Sequence, residues 1–160
     1  MYKIIDSEDR PRYEDGDLEF ILLPNQIPIF WEAIKYAYVR SGDYKEEHIP
    51  ILLHILLVNL LCGNSLIAVV LDKDRQLASI VIFNIVEELI TKDKSLFIEG
   101  FYSYKPASEE EWAAKIMKLV TFAKREGCKR LKGNTGNKKL HEIINKQGVI
   151  EISRCYSLEL

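Results

Sequence analysis

The sequence predicts an α/β fold (strictly α+β), a mixed and mostly antiparallel sheet flanked by helices in a single domain. Three observations predict it. Residues 66–72 and 76–89 are rich in branched and aromatic side chains and flank the short polar turn Lys73-Asp74-Arg75, which reads as a β-hairpin. A further strand-like run over 96–104 is followed by a long amphipathic segment, 108–127, and then by another strand over 128–135. Two helical segments, 28–40 and about 46–62, precede the hairpin.

Taken in chain order, residues 1–26 are a lead-in, irregular or strand-containing over its first 19 residues and punctuated by Pro11 and Gly16. The first helix opens with Pro28, where a missing N–H does least harm, and carries Phe30, Ile34, Ala37 and Tyr38 at helical spacing. Ser41, Gly42, Asp43 and Tyr44 break it. The second helix is apolar almost all round and stops at Gly63-Asn64. After the hairpin, Lys92-Asp93-Lys94 turns the chain into the strand over 96–104.

The next helix has the sharpest local signature. Ser108 and Glu111 are spaced as a capping box, the hydroxyl accepting one orphan N–H and the carboxylate reaching back to another. Trp112, Ile116, Leu119, Val120 and Ala123 recur on one face, and Gly127 suits a left-handed exit. A strand from Cys128, a short helix over 137–148 and a last strand over 149–160 complete the chain, with no internal repeat.

Composition excludes several function classes. A length of 160 residues fits one domain with a substantial core. The net charge of −2 supplies no global basic field for nucleic acid, and the basic run from Lys124 to Lys139, interleaved with glutamate, reads as a solvated surface. Cys62, Cys128 and Cys155 are odd in number and form no CxxC pair, so a reducing compartment without a disulfide framework is expected. The acidic start lacks the apolar core of a signal peptide. Residues 49–62 are shorter than the roughly 20 residues a membrane span requires, and His54 and Asn59 interrupt them. A buried helix or an interface with another chain, including a second copy, is the expected reading.

Few constellations carry chemistry. The stretch from Gly133 to Lys139 lacks the spacing of a nucleotide phosphate loop, and Asn137 there suits a helix N-cap. His48, His54 and His141 show no paired-ligand spacing, so no metal site is expected. Glu99 stands out as a carboxylate inside the apolar strand over 96–104. Period-two alternation places it on one face with Phe97 and Phe101, a setting that raises a carboxyl pKa toward that of a general base. The alternative is a carboxylate paired with a lysine on an exposed sheet face. Tyr102 and Tyr104 end the same strand beside Gly100 and are candidates for contacting a ligand, or for packing.

The element order over 27–160 resembles that of the GNAT-type N-acetyltransferases, so the chain reads as a GNAT-like domain over 1–160 with residues 1–26 as its lead-in. The most specific piece is Asn137, Leu140, Ile143-Ile144 and Gly148-Val149, in the frame of a family motif. The resemblance implies acetyl-CoA as cofactor, Glu99 as base, and Tyr102, Tyr104, Lys105, Ser108 and Asn137 as contacts to the cofactor. Two departures argue against it. Where the family often has a tyrosine that protonates the leaving thiolate, this chain has Ile144, which cannot donate a proton.

The second departure lies in the family's glycine-rich turn before the long helix. Here that turn runs Lys105, Pro106, Ala107, Ser108, Glu109, Glu110, Glu111. It has no glycine, and three carboxylates face an incoming diphosphate. No cofactor is therefore expected, or acetyl-CoA if the divergent site still works. The tail also resembles small GNAT-like proteins of tailed bacteriophages. That resemblance implies a non-catalytic virion or assembly role, other protein chains as partners, and a location in the host cytoplasm or virion; otherwise the cytoplasm is expected.

Overall fold

The computed structural model describes residues 18–133 together with residues 142, 145 and 146. Among these, one sheet holds β1 (Leu18–Ile21), β2 (Leu66–Leu71), β3 (Leu77–Glu87), β4 (Lys94–Ser103) and β5 (Cys128–Gly133), in that spatial order. Neighbours are antiparallel except β4 and β5, which run parallel. Parallel neighbours need a crossover, and α3 (Glu109–Arg125) provides it. The lead-in thus contributes a strand, β1, which is an edge among the described residues.

α1 (Ile27–Ser41) and α2 (Ile49–Leu61) cover one face of the sheet. Ile34, Ala37, Leu56 and Leu60 pack there on Ile67, Val69, Ile80 and Ile82. α3 covers the other face, with Leu119 and Ala123 against Ala68, Val81, Phe83 and Leu96. Burial on both faces explains why β2 and β3 read as near-continuous apolar runs rather than alternating ones. The second helix begins later than its sequence suggests. Pro50 has no N–H to give the Glu46 carbonyl, so residues Glu46–His48 form a 3-10 turn and the α-helix starts at Ile49.

The outer side of α2 is uncovered among the described residues: Ile51, Ile55, Val58 and Leu61 are each about half exposed. No helix among them is long and apolar enough to cross a membrane. Much of the basic run is spent internally. Lys129 pairs with Asp93 at 2.5 Å, while Arg130 and Lys132 both reach Glu88, at 3.0 and 3.1 Å. These bonds tie β5 to the β3–β4 turn. The short helix and last strand expected over 137–160 lie outside the described residues, apart from Glu142, Asn145 and Lys146, which are helical.

Candidate functional site

The two halves of β4 differ. Residues Lys94 to Ile98 pair with β3 on one side and with β5 on the other, ending where Ile98 meets Gly133. A Cβ on Gly133 would lie 3.4 Å from Ile98 Cβ, so the two backbones meet closely there. Beyond Ile98, β4 continues beside β3, but no described strand flanks its other side. Tyr104 N–H donates to Ala78 O at 2.9 Å. The alternation of an antiparallel ladder then turns the N–H and C=O of Phe101 and Ser103 away from β3, toward the open side.

The transition between the halves is a β-bulge. Ile82 faces Gly100 while Phe83 faces Ile98, leaving Glu99 as the extra residue. This corrects the simple alternation expected from the sequence. Phe101 moves to the α3 face, its ring 4.4 Å from that of Trp112. Glu99 points instead to the side of α1 and α2. Asn84 Nδ2 donates to Glu99 Oε1 at 2.8 Å, and Ser65 Oγ donates to Oε2 at 3.4 Å. The expected alternative of a lysine partner on an exposed face is also set aside, because these neutral donors hold the carboxylate.

Burial pushes the Glu99 carboxyl above its ordinary range, with the Ser65 hydrogen bond opposing it. Asn84 Oδ1 is buried without a hydrogen-bond partner among the described residues. Tyr38 lies close enough to Glu99 to feel its charge; burial above all raises the phenol pKa, helped by its hydrogen bond to Tyr44. Gly100 permits the close approach of α1, since a Cβ there would come within 2.7 Å of Ser41 Oγ.

Tyr102 and Tyr104 face α1 and form an aromatic cluster with Tyr36. Ring centroids are 5.5 Å apart for Tyr36 and Tyr102 and 5.0 Å apart for Tyr102 and Tyr104. Tyr104 O–H donates to Ala33 O at 2.6 Å, and burial pushes its pKa up to about 12. Tyr104 therefore fastens β4 to α1. The shallow depression beside this cluster, about 390 Å³, is lined by Glu32, Lys35, Tyr36, Val39 and Arg40.

At the end of β4 the turn into α3 is closed by its own side chains. Glu111 N–H donates to Ser108 Oγ at 3.2 Å, and Ser108 N–H donates to Glu111 Oε2 at 2.7 Å. Lys105 is ion-paired with Asp72. Asp72 in turn organises the β2–β3 turn, accepting from Asp74 N–H and Gln76 N–H at 2.9 Å each. Lys146 reaches back to Glu109 at 2.8 Å.

At this turn Pro106 has no N–H to donate, the capping box uses two N–H groups, and Glu109, Glu110 and Glu111 bring three carboxylates to the first turn of α3. Asn137 lies outside the described residues. Among the described residues no group of three or more His, Cys, Asp or Glu side chains is placed to hold a metal. His48 and His54 are exposed, and His48 lies 3.5 Å from Glu47.

Sequence reasoning missed Ser65, Asn84, Ser41 and Asp72. Asn84 had a legible signal, a single amide inside an apolar run. Ser65 and Ser41 had none, because only the sheet brings them to Glu99 and Gly100.

No family model matches this chain, and no curated protein has a matching sequence. Solved structures do match. A predicted acetyltransferase with acetyl-CoA from Clostridium acetobutylicum superposes with a TM-score of 0.67 at 13% identity, over 89% of this chain and 96% of that one. A ribosomal-protein-alanine N-acetyltransferase from Brucella melitensis gives 0.66 at 14% identity, over 90% and 99%. A GNAT family acetyltransferase from Staphylococcus aureus gives 0.60 at 11% identity, over 91% and 99%. At such identities the likeness speaks for architecture alone: the chain has the fold of the GNAT acetyltransferases.

Proposed function

We propose that this chain is a non-catalytic protein on the GNAT fold, working as a structural or assembly component through contacts with other chains. The first turn of α3 carries this reading. Its Ser108–Glu111 capping box already satisfies N–H groups that a diphosphate would need, and its acids oppose the anion. The stripe Ile51, Ile55, Val58 and Leu61, uncovered among the described residues, supports contact with other chains, a second copy included. A virion role, which the phage resemblance implies, is the most specific form of this proposal. Calorimetric titration of the folded protein with acetyl-CoA and with CoA tests it. No saturable heat is expected; saturable binding at low micromolar concentration overturns it.

A second reading is an acetyl-CoA-dependent N-acyltransferase with a divergent cofactor loop. It is favoured by the bulge, which sets Glu99 beside the open half of β4. Glu99 there is the base, its affinity for a proton raised by burial. The unpartnered Asn84 Oδ1 beside it is a second acceptor, and together the two suit the N–H groups of an amine. Tyr102, Tyr104, Lys105, Ser108 and Asn137 are its cofactor contacts. Acetyl transfer to a panel of primary amines, lost in Glu99→Gln, is its test.

A further inference from the structure

We propose that the β3–β4 turn is a membrane-contact tip, with Leu89 and Ile90 entering the headgroup boundary of an anionic lipid bilayer. The proposal goes beyond the two readings above and holds under either of them.

The turn displays an aliphatic pair and holds it out. Leu89 is 87% exposed and Ile90 96%, the two most exposed large apolar side chains among the described residues. Turns ordinarily carry glycine, asparagine or aspartate at such places, and a lone exposed aliphatic needs no explanation. Here two are adjacent on a braced backbone. Glu88 N–H donates to Asp93 O and Lys92 N–H to Glu88 O, each at 2.9 Å. Thr91 Oγ1 donates to Glu88 Oε2 at 3.1 Å, and Lys92 takes the left-handed conformation at a φ of 59°. The bonds from Lys129, Arg130 and Lys132 to Asp93 and Glu88 add a second brace. A tip fixed in this way loses little conformational freedom when it meets a surface.

Both ends of the described segment 18–133 lie away from the tip. Leu18 pairs with Leu71 beside the β2–β3 turn, at the opposite end of the sheet, and Gly133 pairs with Ile98, near the middle of β4.

Charge then selects the partner. The chain has a net charge of −2, yet residues 87–94 and 124–132, which meet around the turn, carry seven Lys or Arg against four Asp or Glu. The carboxylates are the inner partners of the longest cations. The Asp93 side chain is 19% exposed against 68% for Lys129, and that of Glu88 35% against 54% for Arg130. The outward field of this end is therefore positive. Nucleic acid would use the cations and leave the aliphatic pair idle. Two side chains on a protruding turn fall far short of the roughly 800 Å² per partner that a stable protein interface buries. A lipid surface uses both features. Apolar burial at the headgroup boundary and attraction to anionic lipid are each weak alone, and together they give reversible binding.

The test sediments the full chain with phosphatidylcholine vesicles, with and without phosphatidylserine. Binding is expected only where phosphatidylserine is present, and it should weaken as salt rises. Leu89→Ser and Ile90→Ser together are expected to weaken it at least about tenfold, and Lys94→Gln with Lys124→Gln by about tenfold. The serine positions are exposed, so an unchanged unfolding midpoint is expected alongside. Ile90→Trp adds a direct readout of insertion. Its emission should shift to the blue on anionic vesicles and be quenched by lipids brominated on the acyl chain.

No sedimentation at millimolar lipid, equal binding to phosphatidylcholine alone, or equal binding by the serine variant overturns the proposal. So does an unshifted emission from the Ile90→Trp protein. Self-association that the serine variant abolishes, with vesicles left unbound, overturns it in favour of a second copy at the tip. None of these results depends on acetyl-CoA, so failure here leaves the readings above standing.

Discussion

The Glu99 pocket and the first turn of α3 stand on opposite faces of the same strand, and they have been treated differently. In the pocket a carboxylate is half-buried at a bulge, held by Asn84 and Ser65 and left beside an acceptor with no partner among the described residues. That arrangement costs free energy: burial opposes the charge, and an unpaired buried oxygen adds to it. The turn shows the reverse. Ser108 and Glu111 satisfy each other's N–H groups, and the carboxylates of the first turn sit where the helix dipole favours them. A half-buried carboxylate held by neutral donors, beside a helix start whose cap satisfies itself, teaches that one strand can carry a costly polar group on one face and a self-stabilising turn on the other.

The largest effect belongs to the element that both regions share. Phe83 is fully buried on the α3 face, opposite Ile98 at the bulge, with its ring 5.4 Å from that of Phe122. Phe83→Ala is expected to cost about 3–5 kcal/mol in urea unfolding, loosening α3 and the bulge together. A loss that disturbed only one region would show the two to be independent.

Gly100 sharpens the pocket side. Gly100→Ala drives a Cβ toward Ser41 Oγ and is expected to cost about 1–3 kcal/mol by overpacking. In a Ser41→Ala background the nearest Ser41 atom is the Cβ, 3.6 Å away, so most of that cost should vanish in a double-mutant cycle. A cost unchanged by Ser41→Ala would place the strain elsewhere.

On the turn side, Ser108→Ala is expected to lower stability by about 1 kcal/mol, the usual worth of an N-cap, with the unfolding slope unchanged. An unaffected midpoint would mean that the cap is not what satisfies α3.

The smallest effect is a slope with pH. Glu99 has a raised folded pKa, so the native state holds more protons than the unfolded state between the ordinary carboxyl value and the raised one. Its contribution therefore falls as pH rises through that window. Glu99→Gln should gain on the parent protein as pH climbs above about 4.3, read from unfolding midpoints across the pH range. A parallel pair of curves would refute the burial of the charge.

Much of the fold was readable from the order of residues. The hairpin turn, the capping box at Ser108 and Glu111, the apolar face of α3 and the left-handed exit at Gly127 are local, and local chemistry decides them. The candidate site was readable only in part. Glu99 stood out as a carboxylate among apolar neighbours, but its partners are 34 and 15 residues away in the chain. Asp72 looked like one more turn residue until its bonds to Asp74 and Gln76 and its pairing with Lys105 made it the anchor of two turns.

Over residues 27–133 the sequence by itself determined, to within a turn, which segments are helix and strand, and it determined that the turn into α3 carries acids without glycine. Those properties follow from neighbours a few residues apart. Tertiary structure alone decided which way Glu99 and Phe101 point. A one-residue bulge reverses the side-chain alternation beyond it, and its position is set by how β3 and β4 pair and by how α1 closes on Gly100.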